Sequence, residues 1–311
     1  MPELPEVETI ARGLARRVSG DVIESVWLGQ KPEPLKSTAQ EIAAALEHSR
    51  IANVRRMGKH IVFDLEREKG SPSPGKVRKP KAMRPGSVVP STGLPSATQA
   101  GANKGVRRSD PTQAQWIVHL GMTGRCVVCG PELERAKHTH LIATLESGRE
   151  LRFVDPRRFG RLQVMQGRTF SAPGDEPIGA GRERFVELFK GRRTPIKSAL
   201  LNQKLLAGVG NIYADESLFR AGVRPRRQAA RLTRAELGRL YEALQEVLAE
   251  AIEAGGSSVS DYVDADGESG LFQLQHKVYQ RTGEPCLVCG SGIQRVVVAG
   301  RSSHYCPKCQ R

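Results

Sequence analysis

The chain has 311 residues, 39% of them hydrophobic, with 48 Lys+Arg against 33 Asp+Glu, a net charge of +15 and a pI near 9.9. That length suits about two domains. The mean hydropathy of -0.40 and the lack of any long apolar run exclude a helical membrane protein. The first twenty residues carry Glu3, Glu6, Glu8 and several arginines in place of an apolar signal core, so a cytoplasmic location is expected. The basic balance points to a polyanionic partner, nucleic acid foremost, with a generally basic proteome as the alternative.

Taken in chain order, residues 5–18 predict a helix: Ile10, Leu14 and Val18 recur every four residues, and acids crowd the first turn. Strand-like runs follow at 22–28, 51–57, 60–65, 116–120, 126–128, 140–145, 150–154 and 161–164, with one short helix at 39–46. The first half therefore reads as a β-sandwich or barrel with helix pieces. Residues 69–115 differ in kind. They hold seven prolines, six glycines, six serines and no aromatic, and nine Lys/Arg against one Asp give them +8 of the net +15. Such a composition cannot bury enough apolar surface to fold, so a disordered basic insertion is expected, either holding DNA loosely or merely solvated. Residues 170–183 read as a linker. Helices are predicted at 184–190, 195–200, 212–221 and 234–254, and the last is strongly amphipathic through Leu237, Leu240, Leu244, Val247, Leu248 and Ile252.

Four features carry chemistry. Cys286-x2-Cys289-x16-Cys306-x2-Cys309 has zinc-ribbon spacing. About 30 residues have too little core to stand without metal, so one structural zinc is expected, two disulfides being the alternative. Four thiolates leave no open position for catalysis. The Gly208-Val209-Gly210-Asn211 turn runs straight into a helix start, where backbone amides can cradle a phosphate and Asn211 can cap or donate; an ordinary helix hairpin is the alternative. In Asp155-Pro156-Arg157-Arg158-Phe159-Gly160, an apolar ring beside arginines suits a wedge that unstacks a base step, against a core aromatic beside solvated charges. Finally, the chain opens Met1-Pro2-Glu3. Trimming Met1 would leave Pro2 with a secondary amine able to attack a sugar carbon and form an iminium. Its reference pKa near 8 leaves a usable neutral fraction, and Glu3 could move protons. The alternative is an ordinary proline-initiated helix start.

With Met57-Gly58-Lys59, His119-Leu120-Gly121-Met122-Thr123-Gly124, the Asp155 loop, residues 208–216 and the Gly283-Glu284-Pro285-Cys286 tail, these blocks resemble bacterial formamidopyrimidine-DNA glycosylase, in that family's order and over nearly the whole chain except 69–115. The resemblance implies an α+β multidomain fold: an N-terminal β-sandwich catalytic domain with a flanking helix over 1–168, a linker over 169–183, a helix–two-turn–helix domain over 184–280 and a zinc finger over 281–311. It implies excision of oxidised purines such as 8-oxoguanine from double-stranded DNA, then strand cleavage by β,δ-elimination. Pro2 would be the nucleophile, Glu3 the proton donor to the sugar, Lys59 the β-elimination lysine and Arg301 the residue of the later step. Arginine keeps its proton, so Arg301 is expected mainly to grip phosphate. Because the target base must leave the stack, Met122, Arg157 and Phe159 would fill the void, Arg157 serving the orphaned cytosine. His138, Arg192, Lys197, Asn211 and Tyr213 would contact DNA, and Glu6 would lie near the flipped base, under a loop at 258–275. Zn2+ is the expected cofactor, a monomer the expected state and the bacterial nucleoid the expected place of action. Two alternatives stay open: an endonuclease VIII-type enzyme for oxidised pyrimidines, favoured less by the Leu4-Pro5-Glu6 start and the wedge loop, and a non-catalytic damage-binding protein, opposed by intact Pro2, Glu3 and Lys59. Cys126 and Cys129, with His138 and His140 downstream, could count as a second zinc site. Strand alternation orients the two thiols oppositely, and ordinary core or surface residues are expected.

Overall fold

A computed structural model describes residues 1–31, 34–67, 112–258 and 270–311. Helix α1 (Leu4–Val18) leads into β1 (Ile23–Leu28), α2 (Ala39–Leu46), β2 (Arg50–Met57), β3 (His60–Arg67), β4 (Thr112–His119), β5 (Arg125–Cys129), β6 (Thr139–Leu145), β7 (Glu150–Val154) and β8 (Arg161–Gln166). Two antiparallel four-stranded sheets result, ordered β1-β6-β7-β5 and β2-β3-β4-β8. They form the expected sandwich. Its core joins Val7, Ile10 and Leu14 of α1 to Phe63, Trp116, Leu141 and Phe153, with Trp116 stacked on Phe63 at 4.5 Å between ring centroids.

One boundary needs correcting. Residues 112–115, read with the basic insertion, belong to β4. Arg67 pairs with Thr112, Leu65 with Ala114 and Asp64 with Gln115, and the Gln115 side chain donates to Asp64 and accepts from the Phe170 amide. A polar run without periodicity gives no strand signal; here the ladder and a buried glutamine supply it. The rest of that insertion, 69–111, and residues 259–269 of the expected closing loop lie outside the described residues.

The second half is helical: α3 (Arg182–Phe189), α4 (Ile196–Leu200), α5 (Asn211–Arg220) and α6 (Arg234–Glu253). Thr233 and Glu236 close a reciprocal capping box at the start of α6, which fixes where the amphipathic run begins. The chain ends in a hairpin, β9 (Gln294–Val298) and β10 (Arg301–Tyr305), whose pairing brings the two C-x-x-C knuckles together. Leu4 departs from the rest of its helix: its side chain packs in the helical core with Phe185, Leu206 and Tyr213, whereas Val7 onward face the sandwich. Among the described residues no helix is long and apolar enough to cross a membrane.

Trp116 has no solvent exposure. Trp116→Ala should therefore cost about 3–5 kcal/mol of stability. Urea unfolding followed by circular dichroism measures it, and a loss below about 1 kcal/mol would contradict the close-packed core described.

Candidate active site and nucleic-acid interface

The start of α1 lies against the Gly208-Val209-Gly210-Asn211 turn. The Leu4 amide donates to the Gly208 carbonyl at 3.0 Å. Gly208 has φ +92, and a Cβ there would come within 2.9 Å of Leu4. A Cβ at Gly210 would lie 2.2 Å from the Glu3 carboxyl carbon. Both glycines are thus required by the close approach of the chain start, whatever else the turn binds.

Glu3 is buried, at 4% exposure. Its Oε1 accepts from the Ile212 amide at 3.3 Å, and its Oε2 is buried with no hydrogen-bond partner. Burial raises its pKa to about 7, with the nearby Lys59 charge opposing the rise and Glu6 adding to it. Lys59 occupies the Gly58-Lys59 turn joining β2 to β3 and is 7% exposed. Burial depresses its pKa, Glu3 and Glu6 work in the opposite direction, and the positive charge of Arg301 depresses it further. Glu3, Glu6, Lys59 and Arg301 therefore form one electrostatic cluster. The lysine turn is braced from the segment read as a linker: Glu176 accepts from the Gly58 amide and, at 2.6 Å, from Arg56, which also reaches Glu8 at 2.7 Å.

The Glu6 carboxylate accepts from the Tyr213 hydroxyl, the Ser257 amide at 2.8 Å and the Glu3 amide at 2.8 Å. It ties the chain start to α5 and to residue 257, two residues before the segment 259–269. Gly256 is needed there, since a Cβ would come within 3.0 Å of Glu6. The same bond accounts for the Tyr213 side chain, which has no exposure and donates to Glu6. Lys197 is likewise fully buried, with Nζ 2.7 Å from Asp215 and 2.6 Å from the Ser302 carbonyl. Asn211 opens α5 with a buried Oδ1 that has no partner, and Arg192 and His138 are exposed.

The residues expected to form the wedge come together as one surface. Met122 and Phe159 stay 41% and 48% exposed, unusual for such side chains, and the Arg157 guanidinium lies 5.0 Å from the Phe159 ring centroid. Their two loops abut: a Cβ at Gly121 would lie 2.5 Å from the Phe159 carbonyl carbon. Asp155, with no exposure, organises both, accepting from Thr123 Oγ1 at 2.6 Å, the Gly160 amide at 2.7 Å and the Arg157 amide at 3.3 Å. His140 Nε2 and the Asp155 carbonyl are 2.9 Å apart, which fixes the loop to β6.

All four terminal cysteines are unoxidised and their sulfurs lie within 4.8 Å of one another, with Cys286 to Cys309 at 3.9 Å and Cys289 to Cys306 at 3.4 Å. A tetrahedral site with Zn–S of about 2.3 Å spaces its sulfurs by roughly 3.8 Å, whereas a disulfide requires about 2.05 Å. The cysteines therefore fit one structural zinc. Among the described residues no other group of three or more His, Cys, Asp or Glu side chains is placed to hold a metal ion. Cys126 is buried, its thiol pushed up to about 12 by that burial, and pairs across from Phe153, while Cys129 pairs with Glu150.

Three family models match the chain: the formamidopyrimidine-DNA glycosylase N-terminal domain over residues 1–162, the formamidopyrimidine-DNA glycosylase H2TH domain over 174–263, and a zinc finger found in FPG and IleRS over 283–311. The formamidopyrimidine-DNA glycosylase of Solibacter usitatus is 40% identical, with both chains covered completely. The MutM (Fpg) crystal structure from Thermus thermophilus superposes with a TM-score of 0.75 at 39% identity, covering 99% of this chain and 98% of that one. A Lactococcus lactis Fpg mutant complexed with Fapy-dG-containing DNA gives 0.77 at 28% identity, with both chains fully covered.

The approach of Gly210 to Glu3 is directly testable. Gly210→Ala should push the carboxylate from its seat, cost about 1–3 kcal/mol of stability by overpacking, and let the Glu3 pKa fall from about 7 toward the ordinary carboxylate range. Carbon-detected titration of the Glu3 carboxyl reads this, and an unmoved titration in the folded variant would contradict the geometry.

Proposed function

The chain belongs to the formamidopyrimidine-DNA glycosylase family, and from that premise we propose how its own residues carry the family's reaction. It is a bifunctional DNA glycosylase and abasic-site lyase that removes oxidised purines from duplex DNA, and it holds one structural zinc. The pyrimidine-type reading gives way because the full-length relative is a formamidopyrimidine-DNA glycosylase. The observation that carries a catalytic assignment, against an inert binder, is Glu3: a buried carboxyl with one oxygen unpartnered and a pKa raised to about 7, beside a buried lysine. The enzyme acts as a monomer in the cytoplasmic nucleoid.

With Met1 removed, the neutral Pro2 amine attacks C1′ of the damaged nucleotide. The N–C1′ bond forms as the C1′–base bond breaks; the base departs with the electron pair and takes up the proton that the newly bonded Pro2 nitrogen releases. Glu3, protonated in its buried seat, gives its proton to the ring oxygen as the C1′–O4′ bond opens, leaving an iminium between Pro2 and C1′. The iminium acidifies C2′; Lys59, its pKa depressed by burial, accepts that proton while the C3′–O3′ bond breaks and the 3′ phosphate leaves. Loss of a proton from C4′ then expels the 5′ phosphate, with Arg301 holding the departing charge, and water releases the sugar remnant from Pro2. Met122 and Phe159 fill the space of the extruded base, while Arg157 pairs with the cytosine left behind. His138, Arg192 and Asn211 grip the backbone. Zinc bound by Cys286, Cys289, Cys306 and Cys309 supplies folding energy to the hairpin that bears Arg301.

A duplex bearing one 8-oxoguanine opposite cytosine, treated with borohydride, should yield a covalent complex through Pro2. The same chain with residues added ahead of Pro2 should bind that duplex without trapping or nicking. Binding without trapping by the trimmed enzyme would overturn the assignment.

The two proton states set the pH dependence. Pro2 must be neutral, so the rate falls as pH drops below about 8, its reference value. Glu3 must be protonated, so the rate also falls as pH rises through about 7. Because the Lys59 charge holds the Glu3 pKa down, Lys59→Ala should raise it and move the alkaline limb of single-turnover base excision to higher pH. A limb that does not move would show that Glu3 is not the group titrating.

A further inference from the structure

Asp215 is buried without exposure on α5, one helical turn beyond Asn211 and on the same face. Nothing in the chemistry above uses it, yet it collects four contacts. Lys197 Nζ on α4 lies 2.7 Å away, and Ser303 Oγ donates at 2.8 Å. The His304 amide donates at 2.9 Å, and His304 Nδ1 lies at 3.3 Å. Lys197 also donates to the Ser302 carbonyl at 2.6 Å. Three consecutive residues of β10, immediately following Arg301, are thereby fastened to one buried ion pair. Arg301 itself is exposed at the first position of the strand, paired with Val298 at the hairpin's turn. A residue at the end of a two-stranded ribbon has little else to hold it in place.

We propose that the Asp215–Lys197 pair is a latch that positions Arg301 over the Glu3 and Lys59 cluster, making Asp215 a positioning residue for the second elimination. A buried ion pair is a weak source of stability but fixes geometry well, since its partners must meet at one distance and direction. The same α5 face carries Asn211, assigned above to the DNA backbone, so the latch ties that residue and the arginine to a single rigid helix. Lys197, in this arrangement, serves the reaction without touching DNA.

The inference rests on the assignment of Arg301 to the later elimination. The test uses full-length, zinc-loaded protein and a duplex with a single abasic site, and reads the ratio of δ- to β-elimination product in a single turnover. Asp215→Asn should lower that ratio at least about fivefold, the loss of roughly 1 kcal/mol of differential stabilisation, while retaining one zinc per chain and borohydride trapping. Ser303→Ala, a milder loosening of the same latch, should lower it by a smaller factor and decides the matter should Asp215→Asn not fold. An unchanged ratio in a folded, zinc-bearing variant overturns the latch, as does a ratio that falls only in step with zinc loss. If the unaltered enzyme fails to trap at all, the fault lies with the Pro2 assignment instead; a trapping enzyme with an insensitive ratio condemns the latch alone.

Discussion

The hydrogen bond from the Leu4 amide to the Gly208 carbonyl, with Leu4 itself packed in the helical core, fixes the relation between the two halves of the active site. A chain terminus ordinarily frays. Here the first four residues are clasped by a turn more than two hundred residues away, while α1 continues into the sandwich core. Pro2 and Glu3 thus sit at the seam between the sheet domain and the helices. The seam is narrow because two glycines allow it: either side chain enlarged at Gly208 or Gly210 would strike Leu4 or Glu3. The tight turn at Gly208–Asn211 and the seating of Glu3 are consequences of the same close approach.

Buried carboxylates recur through the molecule, and their partners sort them by task. Asp155 accepts from a hydroxyl and two amides, Glu216 from the three successive amides of Lys277, Val278 and Tyr279, and Glu6 from two amides and a phenol. Each is a knot that ties distant segments by charge-assisted hydrogen bonds. Glu3 accepts from the Ile212 amide at 3.3 Å, with the Tyr213 amide also stabilising its charge, yet its Oε2 has no partner. It bears the desolvation cost without full compensation and therefore holds its proton up to a pH of about 7. An unsatisfied buried acceptor, costly in a structural role, is here what keeps a carboxyl protonated near neutral pH.

Most elements were legible from the chain alone because their signals are local. Short strand-like runs marked β6 and β7, helical apolar spacing marked α6, and C-x-x-C spacing marked the zinc hairpin. The residues of the chemistry were legible as motifs. What escaped was orientation. Lys197 and Tyr213 stand within basic or motif-bearing stretches, and nothing nearby reveals that their partners are Asp215 and Glu6, the latter 207 positions away from Tyr213. Glu176 lay in a run read as a linker, although it braces the Lys59 turn from 118 positions away. Long-range electrostatic partners leave no periodicity, so composition and spacing cannot announce them.

The register of β3 against β4 has an evolutionary consequence. Arg67 and Thr112 stand directly opposite one another at the close of the ladder, so the 44 residues between them leave and re-enter the sheet at neighbouring points. Lys59 lies at the other end of β3, a strand's length of about 23 Å at 3.3 Å per residue. Lengthening a connection whose ends are already pinned adds only a logarithmic entropy cost, roughly 0.6 kcal/mol per doubling. This hairpin end is therefore a port at which a lineage can add or discard sequence while the catalytic seam stays intact, and at which an engineer could graft a reporter or a targeting module.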